Sequence, residues 1–417
     1  MTIMTFALAA TAMLSYLLFV VRQVDVFTIA GVSAFLFSVS LVSGIVSGPR
    51  GWEDKEVEDV VYASFVTLFL LILFSSFVFD KLTCGKNGIC LSFSDEQGRL
   101  ISFFLVSVSA LLLGSLFFRY GSSLIFGQSK RAIMDSVGGH YVATNWVCLL
   151  AATWCFYASG KFGKVYAVAL LLIWLLIGHR APLVLAGIAL VLLYARHFPP
   201  VSLLGRRPIT FTGLLVISLM AVSLAKPVYG HFKSGGWDQV VELFSENDLQ
   251  DLLFRGMEFT GTQYIFNEIV LSNFVTDGGH IVRAPLSLVP VPRSNFTTPS
   301  SEFNDLFQPA LFPGHPAGMA YNSLAEFYAV AGFFGVFVYL LLFSLCLFLI
   351  ALSMARLRSA WVVVVAIIGA LVAFYSYRNS IAVTLGFIRY LVWPFLVAWL
   401  ITKLLSAVGG PARSRPE

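Results

Sequence analysis

Long uninterrupted apolar runs organise this chain, and neither a period of two nor a period of 3.6 residues dominates it. Eleven such runs stand out: residues 3–21, 24–46, 60–79, 101–118, 141–158, 165–178, 182–195, 211–227, 327–351, 360–377 and 381–405. Each is read as a helix across a bilayer, whose hydrocarbon core of about 30 Å takes about 20 residues. The first run has no basic segment ahead of it and leads almost directly into the second, so it reads as a span and not as a cleaved signal. The expected fold is an all-α polytopic membrane protein of about eleven (ten to twelve) transmembrane helices with one large, partly helical extracytoplasmic loop. The expected organisation is a bundle of about eight spans over 1–227, the loop over 228–326, a bundle of about three spans over 327–405, and a tail over 406–417.

Composition agrees. The chain is 58% hydrophobic and 12% charged, against about 25% charged residues in soluble domains. That excludes a disordered chain, a disulfide scaffold and a nucleic-acid binder. The net charge of +5 is read as cation excess in cytoplasmic loops rather than as a sign of a polyanionic partner. Arg196, Arg206 and Arg207, the pair Arg356 and Arg358, and Lys403, Arg413 and Arg415 mark three segments as cytoplasmic. Residues 228–326, with eleven acids against four Lys or Arg, then face outward, and so does the N-terminus.

A connection this long is usually functional. Apolar residues among acids predict helix from Trp237 to Phe259. Beyond it Pro285, Pro290, Pro292, Pro299, Pro309, Pro313 and Pro316 argue against regular helix. The apolar residues Leu286, Leu288, Val289, Phe303, Phe307, Leu311 and Phe312 predict that this half folds back onto the membrane part. Cys84 and Cys90 flank a turn-rich stretch: outside they would close a small disulfide loop, whereas the span count puts them in the cytoplasm and expects free thiols. Cys148, Cys155 and Cys346 are expected to be packing residues within spans. No cluster has metal-ligand spacing, and neither metal nor cofactor is expected.

Ionisable residues at the membrane supply the candidate chemistry. Arg180, beside His179 in Gly178-His-Arg-Ala-Pro182, sits at the tip of a hairpin whose two arms are 14 residues each. The plain alternative is an arginine snorkelling to headgroups. Arg378 opposes the positive-inside rule, and Arg389 follows it by eleven residues, about three turns, so both can face one cavity. Arg255 and Glu258 have surface-pair spacing, and Arg283 and Arg293 flank the Pro-rich half. Glu326 stands where the loop returns to the membrane, as a base or as one half of a capping box with Ser323. His315 and His280 are loop histidines able to titrate near neutrality. Arginine's planar fork suits phosphate oxygens, so an outer cluster of arginines fits a lipid-linked diphosphate.

With these pieces in place the chain resembles the Wzy-type O-antigen polymerases, which join oligosaccharide repeat units. The layout is similar: many spans, one large outer loop, then a few final spans. Three local segments are similar as well: Gly178-His-Arg-Ala-Pro182, the returning segment Asn322-Ser-Leu-Ala-Glu-Phe-Tyr-Ala-Val-Ala-Gly-Phe-Phe-Gly335, and Tyr377-Arg-Asn379. Related ligases often open the returning segment with His-Asn. Here Tyr321 precedes Asn322, which argues against a ligase.

The resemblance implies a GT-C-like, metal-independent glycosyltransferase of the bacterial inner membrane with its site facing the periplasm. It would move a growing glycan from undecaprenyl diphosphate onto an incoming lipid-linked repeat unit. Arg180, Arg378, Arg389 and Arg255 would hold the diphosphate, and Glu326 or His315 would be the base. His179, Arg283, Arg293, Tyr321 and Asn322 would be weaker substrate contacts. Its partners would be the lipid-linked oligosaccharide as donor and acceptor, the bilayer, and a chain-length regulator and a flippase of the same pathway. The alternatives are a ligase delivering the same glycan elsewhere, and a flippase or transporter of lipid-linked sugars.

Overall fold

The computed structural model describes residues 3–408 apart from 23, 49–51, 84–94, 125–137, 196–227, 233–235, 246–257, 291–298 and 315–320. Its elements follow the apolar runs. In a bilayer every backbone amide must be paired within the protein, and a helix pairs them locally. The first helices are α1 (Ile3–Val21), α2 (Val26–Ser38) and α3 (Asp59–Thr83). A second set comprises α4 (Asp95–Tyr120), α5 (Gly139–Ala158), α6 (Lys161–Ile177) and α7 (Ala181–Ala195). The third runs through α8 (Glu258–Leu271), α9 (Gly279–Arg283), α10 (Pro299–Leu311), α11 (Ser323–Arg356), α12 (Trp361–Ala370) and α13 (Ile381–Val408).

Among the described residues, six helices are long and apolar enough to cross a membrane: Val26–Ser43, Asp59–Thr83, Glu96–Tyr120, Gly139–Ala158, Ser323–Arg356 and Ile381–Ala407. Ile3–Leu18, Ala181–Ala195 and Trp361–Tyr375 are apolar and shorter. The described part of the protein is therefore predominantly helical, with several membrane-compatible helices. The expected span at 211–227 lies outside the described residues, as do Cys84 and Cys90.

The structure departs from the sequence reading in four places. The second run ends early: α2 tightens into a 3-10 turn at Val39–Ser43, and Ile45–Val46 then pairs antiparallel with Lys55–Glu56 in a two-stranded ribbon. The run at 360–377 is interrupted, since α12 loosens into a π-turn at Leu371–Tyr375. The Pro-rich half contains regular helix, α10, despite two prolines. Pro299 opens it, where a missing N–H costs nothing, and Pro309 falls in its last turn, where little helix remains to break. The run at 327–351 begins earlier, at Ser323, and is broken at Ala331 (φ −146°, ψ 26°) and Gly332 (φ 60°, ψ −148°). Of the expected Trp237–Phe259 helix, residues 237–245 and 258–259 are helical and the rest lies outside the described residues.

The chain forms two compact units. One holds Met1–Asn87, Tyr194–Leu352 and Gly369–Gly386; the other holds Gly88–Leu193, Ser353–Ile368 and Phe387–Glu417. In the first, Arg22 ties α1, α2 and α3 together. It donates to both oxygens of Asp80 at 2.8 and 2.6 Å and to Asp25 at 2.9 Å, while Asp25 caps α2. Tyr377 donates its hydroxyl to the Ala30 carbonyl at 3.0 Å. In α8, Asn267 holds the ribbon. Its Nδ2 donates to the Glu56 carbonyl and its Oδ1 accepts from the Glu58 amide, both at 2.8 Å. The Pro-rich half is buried only in part. Phe303, Phe307 and Phe312 are buried, with Phe312 stacked on Trp52 at 4.8 Å, whereas Leu286, Leu288 and Val289 stay exposed.

The second unit is held by aromatic contacts and a few hydroxyls. Trp154 donates to Ser102 at 2.9 Å, and Ser109 pairs with Tyr166 at 2.7 Å. Trp146 stacks on Phe387 at 4.2 Å. Cys148 and Cys155 are buried free thiols, as expected of packing residues, and Cys346 in the first unit is free and half-buried.

The break in α11 carries the first prediction. At Gly335 a Cβ would lie 2.1 Å from the Phe327 carbonyl oxygen, a backbone atom that has no way to swing aside. Gly335→Ala should lower stability by about 1–3 kcal/mol, as overpacking does. Gly187→Ala in α7, where a Cβ meets open space, should be neutral or stabilising because alanine favours helix. Thermal unfolding of the detergent-solubilised protein compares the two, and equal midpoints would refute the close approach.

Candidate functional site

The polar residues that the sequence singles out at the loop's return gather around the first turn of α11. Asn322 is the N-cap: its Oδ1 accepts from the Ala325 amide at 2.9 Å, and its Nδ2 donates to Gln263 Oε1 at 3.3 Å. This corrects the expected capping box of Ser323 with Glu326. Asparagine caps at least as well as serine, and with Asn322 in that role Glu326 falls one position too late to close a box. Ser323 instead donates to the Asn379 carbonyl at 2.9 Å. Glu326 Oε2 accepts from the Ile381 amide at 3.2 Å. Ser323 therefore reaches the turn before α13, and Glu326 reaches the first residue of α13.

Glu326 is 1% exposed, although it lies among apolar residues. Its Oε1 stands 3.7 Å from His280 Nε2. His280, also 1% exposed, stacks on Phe303 with ring centroids 5.0 Å apart. Among the described residues, neither ring nitrogen has a hydrogen-bond partner. Burial pushes this imidazole below its usual range; Glu302 and Asp277 oppose that shift and Arg283 adds to it. Tyr321 is buried against Phe303 and Phe307, at 4.9 and 5.4 Å. Burial, reinforced by Glu326, keeps its phenol protonated. The result is a buried polar cluster of one carboxylate, one imidazole and the amides of Asn322 and Gln263. Such a carboxylate can accept a proton from a hydroxyl brought against it.

Arg378 belongs to the same unit. It lies in the turn that Ser323 and Glu326 hold, with its guanidinium 5.7 Å from the Tyr375 ring. Arg283 is exposed and paired with Glu302, so its charge is already committed to a surface pair. Arg180, His179 and Arg389 belong to the other unit. There Gly178 (φ 96°) ends α6 in the left-handed conformation, and the His179 amide returns to the Trp174 carbonyl at 2.8 Å. His179 packs near Tyr141 and Trp174, and half-buried Arg180 immediately precedes α7. Arg389 donates to the Tyr390 hydroxyl at 2.9 Å. Arg255, Arg293 and His315 lie outside the described residues.

Gln263 is the residue that sequence reading missed. The signal was a polar pair at i,i+4 spacing, Gln263 and Asn267, on an otherwise apolar stretch of α8. Among the described residues, no three of His, Cys, Asp and Glu converge as a metal site would need. No protein family, no curated protein and no solved structure matches the chain.

The cap assignment is testable by stability. Asn322→Ala should cost about 1–2 kcal/mol, the usual loss for an N-cap. Ser323→Ala should cost about 1 kcal/mol, the net value of one hydrogen bond. Thermal melts of both variants should rank them in that order; the reverse ranking would restore Ser323 as the cap.

Proposed function

We propose that this chain is a membrane glycosyltransferase that polymerises undecaprenyl-diphosphate-linked oligosaccharide repeat units at the outer face of a bacterial inner membrane. One observation carries the reading. Two of the segments that resemble the polymerases, Asn322–Gly335 and Tyr377–Asn379, are laced together by Ser323 and Glu326, through bonds to the Asn379 carbonyl and the Ile381 amide. A buried carboxylate and a basic residue are thereby held in one local framework. Residues 228–326 are read as periplasmic, with Arg206 and Arg207 in the cytoplasm.

The chemistry follows from the residue types. An acceptor hydroxyl attacks the anomeric carbon of the donor sugar and gives its proton to Glu326. The bond from that carbon to the diphosphate oxygen breaks, and its electron pair leaves with undecaprenyl diphosphate. Arg378, in the same unit as Glu326, neutralises the developing diphosphate charge. Prearranged donors in a poorly hydrated site do this effectively. Asn322 and Tyr321 line the approach of the sugar.

A second reading, a transporter of lipid-linked sugars, draws on the break in α11, because interrupted helices are common at transporter binding sites. The freed Ala329 carbonyl, however, already accepts from the Thr276 amide at 2.8 Å, which gives the break a structural use. Cells lacking the protein separate the readings. A polymerase defect leaves single repeat units at the surface, and a transport defect leaves none exported.

Glu326→Gln should reduce polymer by about a hundredfold or more, because an amide accepts no proton. Arg378→Lys should lose about a hundred- to a thousandfold in rate while the protein still accumulates. Polymer of normal length from both variants would overturn the reading.

A further inference from the structure

The segment before α9 is built to deliver one side chain. The Thr276 amide donates to the Ala329 carbonyl at 2.8 Å, which docks the loop on the first arm of α11. Asp277 Oδ1 accepts from the Gly279 amide at 3.0 Å. Gly278 adopts φ 76°, and a Cβ there would meet Val330 at 2.9 Å, so only glycine allows this approach. The next turn lays His280 against Phe303 and points Nε2 at Glu326 Oε1, 3.7 Å away.

An imidazole buried with both nitrogens unpartnered is costly, and such a group calls for an explanation. From its own segment His280 faces Asp277 and Arg283, from α10 Glu302, and from α11 Glu326. Arg283 and Glu302 pair with each other, whereas Glu326 Oε1 stands 3.7 Å from the ring nitrogen.

We propose that His280 is the positioning residue of Glu326: its Nε2–H donates to Glu326 Oε1 and so holds the carboxylate ionised and aimed for proton acceptance. The gap closes to a hydrogen bond with a shift of less than 1 Å. Catalytic hydrogen bonds are often long before substrate arrives. A neutral imidazole serves this purpose, so burial of the ring helps by disfavouring the imidazolium. The functional meaning rests on Glu326 being the base, whereas the coupling between the two side chains does not.

The test therefore reads the coupling without any turnover. Infrared difference spectra of the full-length protein in lipid nanodiscs, recorded against pH, follow the protonated-carboxyl band that disappears in Glu326→Gln. His280→Phe keeps the ring stack on Phe303 but removes the donor. It should move the midpoint of that band to higher pH by about one unit or more, because a hydrogen bond to the charged form favours that form. His280→Gln, which keeps an N–H, should move it by less than half as much. If either variant fails to fold, nitrogen-labelled histidine in the wild type and in Glu326→Gln reads the same coupling from the other side, since linkage is reciprocal. A midpoint unchanged in His280→Phe, or a His280 signal indifferent to Glu326→Gln, overturns the proposal. A positive result beside normal polymer from Glu326→Gln would refute the polymerase role of Glu326 and leave the pairing standing.

Discussion

A carboxylate sealed from water has to be surrounded by donors, and this requirement organises the first unit. An isolated buried charge is far more expensive than a domain's whole margin of stability. Glu326 meets the requirement from two distant parts of the chain. One oxygen takes the Ile381 amide, and the other faces His280. The loop and the start of the last helix are thus brought to the same place by one side chain. The neighbouring amides extend the pattern: Asn322 holds Gln263, and one turn further along α8 Asn267 holds the backbone of the ribbon. Polar networks of this kind specify one arrangement, since a partial set leaves orphaned groups behind.

The break in α11 belongs to the same logic. Its non-helical residues, Ala331 and Gly332, interrupt the regular ladder, and kinks of this sort are commonly found at glycine. A carbonyl released in this way still needs a donor, and the Thr276 amide supplies one. The donor's segment is also the one that carries His280. Docking the loop and presenting the imidazole are therefore one structural event.

Hydrophobic runs were legible because length and lack of charge override every subtler pattern in a bilayer. All the runs that fall within the described residues contain helix. The turn at Gly178 was legible too, because glycine favours the left-handed close of a helix. The cap of α11 was misread because two adjacent residues, Asn322 and Ser323, can both cap, and the choice between them depends on partners 55 or more residues away. Helix α10 was missed because proline was weighed by its presence and not by its place in the helix. His280 looked like an ordinary loop histidine in the string Asp277-Gly-Gly-His280, and only tertiary contact buries it. Its meeting with Glu326 spans 46 residues, beyond any local pattern.

The divided helix also sets an order of assembly. The arm from Phe333 to Arg356 is 24 residues without an acid, about 36 Å at 1.5 Å per residue, enough to cross the hydrocarbon unaided. A crossing of that length does not need the arm from Ser323 to Val330, which bears Glu326. A nascent chain can thus partition this helix without carrying a carboxylate into lipid. The donor from Ile381 is synthesised 55 residues after Glu326, so the pocket closes only once the start of the last helix has been made.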